Sequence, residues 1–280
     1  MNTDLHRHHA NRLQMVVFAL VAAAFTNIYI TQPVLPVLQV EFNTDTVVVS
    51  YTVAAVILGV AIATLLFGSL VDHLPIKLLP KDTSRKMMAH RHTNYRSQLC
   101  RRDLLRIYFL ASGSFFIFSA ISNFLPFRLQ SPPFGLSTAM ITLLYLVYVM
   151  GIFIGPVAGR LSHRFGSGRV LTTGLVILAI SSVITLLPVL IAIVIGLVGI
   201  CAGFFTVHAA AVGLLNRRLS GGEGRANALY VLCYYIGGWI GITLAGLAYE
   251  TNGWEGVVQL CMLMMVPLMA VGLMERKLTD

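Results

Sequence analysis

The chain has 280 residues, of which 57% are hydrophobic and only 11% are Asp, Glu, Lys or Arg, and its mean hydropathy is +0.80. A soluble domain carries about 25% charged residues, so this chain must place most of its surface in lipid. A net charge of +9 could indicate a nucleic-acid partner in a soluble protein. Here the cations lie in short segments between apolar runs, as membrane orientation requires, so we expect no nucleic-acid partner.

Eight apolar runs are long enough to cross a bilayer, whose core of about 30 Å needs about 20 helical residues. The first covers Leu13 to about Ile30, and the second covers about Thr46 to Val71. Six more follow the basic segment after Lys77, at about 107–127, 136–159, 169–187, 189–215, 226–249 and 254–274. The predicted fold class is therefore an all-α polytopic membrane protein with eight transmembrane helices.

Loop charges predict the orientation of these helices. Nineteen of the twenty Lys and Arg residues lie in the two termini and in alternate connections, and only Arg128 lies in the remaining ones. Cations are retained on the cytoplasmic side, so both termini are predicted to be cytoplasmic. Composition divides the chain into 1–77 with two spans, a basic linker at 78–104, and 105–280 with six spans.

Two turns of this chain carry related motifs. Residues 159–171 read Gly-Arg-Leu-Ser-His-Arg-Phe-Gly-Ser-Gly-Arg-Val-Leu, and residues 68–77 read Gly-Ser-Leu-Val-Asp-His-Leu-Pro-Ile-Lys. Both resemble the cytoplasmic loop motif of the major facilitator superfamily, Gly-x-Leu-x-Asp-Arg-x-Gly-x-x-Arg. The late copy has His163 in place of the acid, and the early copy has His73 and Pro75 in place of the Arg and the second Gly. The stretch 205–238 is similar to the tenth and eleventh helices of bacterial drug-efflux-like members.

The resemblance implies two six-helix halves, with one motif copy between the second and third helices of each half. Residues 105–280 then form a complete C-terminal half, and residues 1–77 hold the first two helices of an N-terminal half. The two copies start only 91 residues apart, at Gly68 and Gly159. A full half needs on the order of 180 to 200 residues, so helices three to six are expected to be missing. An internal deletion with its junction in the linker is the favoured explanation, and a true eight-helix protein is the alternative.

The resemblance also implies a function. The chain is expected to be a secondary transporter in the bacterial inner (plasma) membrane, exporting a small molecule in exchange for protons by alternating access. The alternative is a non-transporting remnant that lacks a partner half. The family's loop motif latches the cytoplasmic side, which makes the gating candidates Gly68, Asp72, Gly159, Arg164, Gly166 and Arg169. The cations among them could instead serve orientation alone.

The apolar spans contain no acidic residue, although proton-driven transporters usually hold an ionisable group there. His208 is the one ionisable residue well inside a span and is the candidate proton relay. Candidate cavity residues are Asn27, Gln32, Asn123, Tyr234 and Tyr235. All of these, His208 included, could instead form hydrogen bonds between helices. No motif of an enzyme, cofactor or metal site is present, and the sequence leaves the substrate, the coupling ion and the oligomeric state open.

Overall fold

The computed structural model describes residues 29–71, 95–219 and 223–279, together with Val16. Most of the first predicted span lies outside the described residues, which include only Val16 and its last residues. Residues 72–94, which contain the first part of the predicted linker 78–104, also lie outside them. All regular elements in the described part are helical, as predicted. A 3-10 turn, Gln32–Val34, leads into α1 (Leu35–Glu41) and α2 (Thr46–Val71). The later helices are α3 (Tyr95–Leu99), α4 (Arg102–Gln130), α5 (Thr138–Leu144), α6 (Met150–Phe165), α7 (Ser167–Ile184), α8 (Leu190–Arg218) and α9 (Glu223–Thr279).

Six helical segments of the described chain are long and apolar enough to cross a membrane. The 3-10 turn Tyr145–Val149 joins α5 to α6 within one of them. The last segment, Glu223–Leu278, has 56 residues and would extend about 84 Å as one straight helix, far more than a bilayer core. Its backbone leaves the helical conformation at Asn252 and Gly253, where Gly253 has a φ of 58°.

The chain reverses at this break. Arg218, five residues before α9 begins, pairs with Glu275 near its end, so both ends of α9 lie at one face of the bundle. We call residues 223–251 the first arm and residues 254–279 the second arm. Counted this way, the region after residue 101 has six segments long and apolar enough to cross a membrane, at the positions of the six predicted late spans.

Local signals place the helix ends. The Asp45 carboxylate accepts a hydrogen bond from the Val48 amide at 2.6 Å and caps the start of α2, and the Ser137 hydroxyl caps α5. Gly166 separates α6 from α7 with φ 87° and ψ 142°, a conformation that only glycine adopts readily. The second glycine of the late loop motif is therefore required by the backbone of the turn.

Helix α4 lies at the centre of the bundle, since 78% of its most apolar stretch is buried, against 11% for α5–α6. Helix α4 packs parallel to the first arm of α9 and antiparallel to the second arm. Ser112 and Phe116 meet Gly237 and Gly241 of the first arm in parallel order. Gly113 meets Leu268, and the Ile117 carbonyl meets the Cys261 thiol, in antiparallel order along the second arm.

Glycines bring helix backbones together at some positions of the bundle and not at others. A Cβ atom on Gly203 of α8 would lie 2.6 Å from the Leu178 amide nitrogen of α7. By contrast, a Cβ on Gly155 or Gly159 of α6 would meet nothing within 4 Å. Gly155 and Gly159 of α6 therefore lie on an open face, whereas Gly203 of α8 and Gly237 and Gly241 of α9 lie in contacts between helices.

The early part of the chain packs against the late bundle. The Val47 side chain of α2 lies against Gly246 of the first arm. The Tyr148 hydroxyl, next to α6, donates to the side-chain oxygen of Gln32 at 2.8 Å. The Tyr29 ring meets the Tyr148 ring edge to face, with centroids 5.5 Å apart.

Replacing Gly241 by Ala should destabilise the protein, because the new Cβ would lie 2.5 Å from the Phe116 carbonyl oxygen and backbone cannot move aside cheaply. We expect a loss of about 1–3 kcal/mol, measured as a lower unfolding temperature in detergent. Gly155→Ala is the matched control, and it should leave the unfolding temperature unchanged or slightly higher. Equal losses in the two variants would contradict the assigned α4–α9 contact.

Candidate functional site

Charged side chains collect at one end of the bundle. This basic end comprises the start of α4, the turn between α6 and α7, the end of α8, and both termini of α9. At the opposite, far end, Arg128 is the one Lys or Arg in the described part of the chain. The arrangement has the asymmetry predicted from the loop charges, and the assignment of the basic end to the cytoplasm remains a prediction.

The most deeply buried charge at the basic end is Glu275 of the second arm, whose side chain is 0% exposed. One carboxylate oxygen accepts from Arg106 Nε of α4, and the other accepts from Arg218 Nη2 of α8. Glu275 lies near the end of its helix, and it is buried because the ends of α4 and α8 pack over it. The cluster joins three helices that are far apart in sequence.

Two further residues extend this charge cluster. Arg218 also donates to the Asp103 carbonyl at 3.0 Å, and Arg101 donates to the Arg218 carbonyl at 3.1 Å. Arg101 pairs with the Asp103 carboxylate at 2.7 Å, and this hydrogen bond raises the pKa of Arg101 against the opposing effect of partial burial. We refer to Arg101, Asp103, Arg106, Arg218 and Glu275 as the charge cluster.

The late loop motif lies beside the charge cluster. Arg217, next to Arg218, donates to the hydroxyl of Ser167, which begins α7. The predicted gating residues Arg164 and Arg169 are exposed, and Arg164 lies over the Phe165 ring, 5.2 Å from its centroid.

The other predicted gating residues are glycines and one acid. Gly166 forms the turn itself, and Gly159 lies on the open face of α6. Gly68 lies in α2, and Asp72 is outside the described residues.

Aromatic rings fill the bundle between its ends. The Phe115 ring of α4 stacks on Tyr234 with centroids 3.9 Å apart, and Phe118 stacks on Phe204 of α8 at 4.1 Å. Tyr234 also meets Tyr235 edge to face. The two predicted tyrosines thus belong to a packed aromatic cluster, which the sequence did not reveal because its members come from separate helices.

His208, the candidate proton relay, lies in α8 at the edge of this aromatic cluster. Its Nδ1 is 3.0 Å from the Tyr230 hydroxyl, and its ring centroid is 5.2 Å from that of Tyr234. The Tyr230 hydroxyl can hold the imidazole in one orientation. The structure therefore shows a hydrogen-bonded histidine between helices, which is compatible with both roles considered for it.

Buried polar side chains lie toward the far end, where the early segment meets α4 and Tyr148. Gln32, Ser122 and Asn123 are each 0% exposed. Within the described residues, Gln32 Nε2, Ser122 Oγ and both amide atoms of Asn123 have no hydrogen-bond partner. The Ser122 carbonyl accepts from the Tyr145 hydroxyl, whose ring lies 5.3 Å from that of Tyr148. We call Gln32, Ser122 and Tyr148 the polar core.

Of the predicted cavity residues, Gln32 lies in the polar core, Asn123 is buried in α4, and Asn27 is outside the described residues. Ser122 and Tyr148 were missed because serine and tyrosine are common in membrane helices, and nothing in their spacing distinguishes them. In the part of the chain that the structure describes, no three His, Cys, Asp or Glu side chains are placed to hold a metal ion.

Arg128 joins several elements at the far end. Its Nη2 donates to the Leu186 carbonyl at 3.0 Å, beyond the end of α7. Its guanidinium carbon lies 5.5 Å from the Phe134 ring centroid and 5.6 Å from that of Trp254. The Trp254 indole in turn donates to the Thr185 carbonyl at 3.1 Å. These contacts connect α4, α7 and the reversal between the two arms.

Comparison with known families agrees with this architecture. Residues 98–279 match the family model described as Major Facilitator Superfamily, which covers well over half of the chain. The chain belongs to the major facilitator superfamily. The match begins just before α4 and ends with the second arm, so it contains the charge cluster, the late loop motif and the aromatic cluster.

Several curated proteins named as transporters are similar to part of this chain. The inner membrane transport protein YnfM of Escherichia coli is 34% identical over 164 residues, covering 59% of this chain and 39% of that protein. An uncharacterized transporter of Buchnera aphidicola subsp. Baizongia pistaciae is 29% identical over 154 residues, covering 55% and 38%. The uncharacterized MFS-type transporter YybF of Bacillus subtilis is 28% identical over 158 residues, covering 56% and 39%. The chain thus spans about two fifths of the length of the relatives it matches.

Glu275→Gln should destabilise this member of the superfamily strongly. It removes the negative charge that compensates Arg106 and Arg218, and breaking one side of a buried ion pair costs about 3–5 kcal/mol. The expected result is a large drop of the unfolding temperature in detergent. Glu250→Gln, at an exposed position of the first arm, is the control and should change little. An unchanged unfolding temperature for Glu275→Gln would show that the charge cluster does not stabilise the bundle.

Proposed function

We propose that the chain is a secondary transporter that exports a small molecule across the bacterial inner membrane in exchange for protons. Membership of the superfamily supports transport, and one relative is named an inner membrane transport protein. The observation that carries the proposal is the polar core. It places unpaired hydrogen-bonding groups at the junction of the early segment with the late bundle, where a substrate of an alternating-access transporter must bind.

Alternating access needs one body that stays rigid and contacts that open and close. The charge cluster and the close packing of α4 between the arms would keep the late bundle rigid. At the far end, Tyr148 forms one hydrogen bond with Gln32 and one ring contact with Tyr29, and neither involves a charge. Separating these residues would therefore cost little free energy. We propose that these two contacts close the far end of the transport pathway, and that the basic end faces the cytoplasm.

Proton coupling is assigned to His208 and gating to the loop motifs. His208 can exchange a proton near neutral pH in exposed surroundings, and its bond to Tyr230 would reorganise when it does so. Arg164 and Arg169 are exposed beside Gly166, where they can meet acids of other cytoplasmic segments, and Asp72 would serve the early copy. Gly166 would shape the late turn, and Gly68 and Gly159 would lie in the helices that lead into the two loop motifs.

The proposed organisation keeps the three parts expected from the sequence, namely residues 1–77, the linker 78–104 and the half 105–280. It includes the internal deletion of helices three to six, in which case the second moving body must come from another chain. The non-transporting remnant is the weaker alternative, since the relatives are named as transporters. If the reading frames around codons 77–104 encode about four apolar spans, the deletion is supported, and a continuous junction in related genes would count against it.

Proton exchange can be measured with the purified chain in liposomes that contain a pH-sensitive dye. We expect addition of a transported compound from a panel of small aromatic molecules to change the internal pH. His208→Gln should lower this proton flux by about 100-fold or more, the range usual for losing a proton-transfer group. His9→Gln, in the polar segment before the first predicted span, is the control and should keep the wild-type flux.

The wild-type and variant results test different parts of the proposal. Equal fluxes from wild type and His208→Gln would remove His208 from the coupling mechanism. No flux from the wild-type chain with any compound of the panel would contradict transport by this chain alone.

A further inference from the structure

One face of α6 is apolar and exposed along most of the helix. Phe153, Pro156 and Val157 are exposed, and they lie seven, four and three positions before Arg160. Residues at these spacings share one side of a helix, so they form a continuous stripe that leads to Arg160. Only 11% of the α5–α6 span is buried, so lipid acyl chains can contact this stripe directly. We call Phe153, Pro156 and Val157 the apolar stripe.

The apolar stripe ends in three basic side chains. Arg160, His163 and Arg164 are exposed and occupy positions i, i+3 and i+4 at the end of α6, so they form one surface. We call these three residues the α6 patch. Arg164 also lies over the ring of Phe165, which is 46% exposed. Basic and exposed aromatic side chains at the end of an apolar helix are typical of the level where acyl chains meet headgroups.

The α6 patch lacks a countercharge from its own surroundings. The chain contains no Asp or Glu between Asp103 and Glu223. At the basic end, the carboxylates of Asp103 and Glu275 already pair with arginines of the charge cluster. Among the residues that the structure describes, no side chain of the α6 patch forms an ion pair. The patch can therefore receive an anion from outside the bundle.

We propose that the α6 patch binds the headgroup phosphate of an anionic phospholipid, whose acyl chain lies along the apolar stripe. A guanidinium matches a phosphate through two parallel hydrogen bonds, and each cation near an anionic membrane surface adds to the affinity. An acidic protein segment in the aqueous phase would compensate the charges alone. A phospholipid compensates the charges and also covers the adjoining apolar stripe, which favours it as the occupant.

Lipid binding at this site does not depend on transport. Arg164 would then contact a lipid phosphate in addition to its proposed role in gating, whereas Arg160 has no other assigned role. The site can therefore be tested by binding alone.

The first measurement compares two lipids that differ only in headgroup charge. The full chain, purified in a nonionic detergent, is titrated with the palmitoyl-oleoyl forms of phosphatidylglycerol and phosphatidylcholine, and bound lipid is counted by native mass spectrometry. We expect the anionic phosphatidylglycerol to bind at least about tenfold more tightly. Equal binding of the two lipids overturns the proposal and favours an acidic protein segment as the partner of the patch.

A double variant tests whether this preference comes from the α6 patch. Arg160→Gln with Arg164→Gln should reduce phosphatidylglycerol binding to the level of phosphatidylcholine, and the unfolding temperature should stay constant because both side chains are exposed. Arg102→Gln with Lys277→Gln is the matched control, since it removes two exposed cations of the basic end and leaves the patch intact. The control should keep the preference. Equal losses in the two double variants would assign the preference to overall net charge and overturn the proposal.

Glycerol phosphate distinguishes a lipid site from a site for free phosphate, because it carries the anionic group and lacks acyl chains. We expect displacement of bound phosphatidylglycerol to need at least about a tenfold molar excess of glycerol phosphate, since the apolar stripe contributes only to lipid binding. Displacement at equimolar concentration would show that the patch recognises phosphate alone and overturn the assignment to a lipid.

Discussion

The pairing of Glu275 with Arg106 and Arg218 is the interaction on which the arrangement of the late bundle depends. A carboxylate with no exposed surface is tolerated only when opposite charges and hydrogen bonds replace its hydration. Both arginines come from other helices, so the start of α4, the end of α8 and the end of the second arm must meet at one point. The reversal at Asn252 and Gly253 follows from this constraint, because otherwise the second arm could not return to the basic end.

The remaining charges follow the same principle of compensation. Arg128 is held by a carbonyl and two rings at the far end, and the other described cations stay at the basic end near water or the charge cluster. The space between is filled by stacked rings and by close glycine contacts such as Gly203 with α7 and Gly241 with α4. Within the described residues, the polar core contains buried hydrogen-bonding atoms without a partner, which makes it a candidate for recognition of a small molecule.

Several features were predictable because they depend on local chemistry. The six late crossings follow from runs of about twenty apolar residues, and the turn at Gly166 follows from the loop motif. Asn123 could be singled out because an amide in an apolar run is conspicuous. The burial of Glu275 was not predictable, since its position near a helix end is equally compatible with a solvated tail. The same limit applies to individual glycines, since Gly203 and Gly241 form contacts between helices and Gly155 and Gly159 face outward.

The sequence by itself determined the membrane environment, the charge asymmetry, the positions of the late crossings and the resemblance to the major facilitator superfamily. These properties depend on composition and on residues close together in the chain. Only the tertiary structure decided which arginines pair with Glu275, that His208 bonds Tyr230, and that Gln32 meets Tyr148 at the polar core. Each of these contacts joins residues more than twenty positions apart, and helix packing, not local sequence, sets which of them meet.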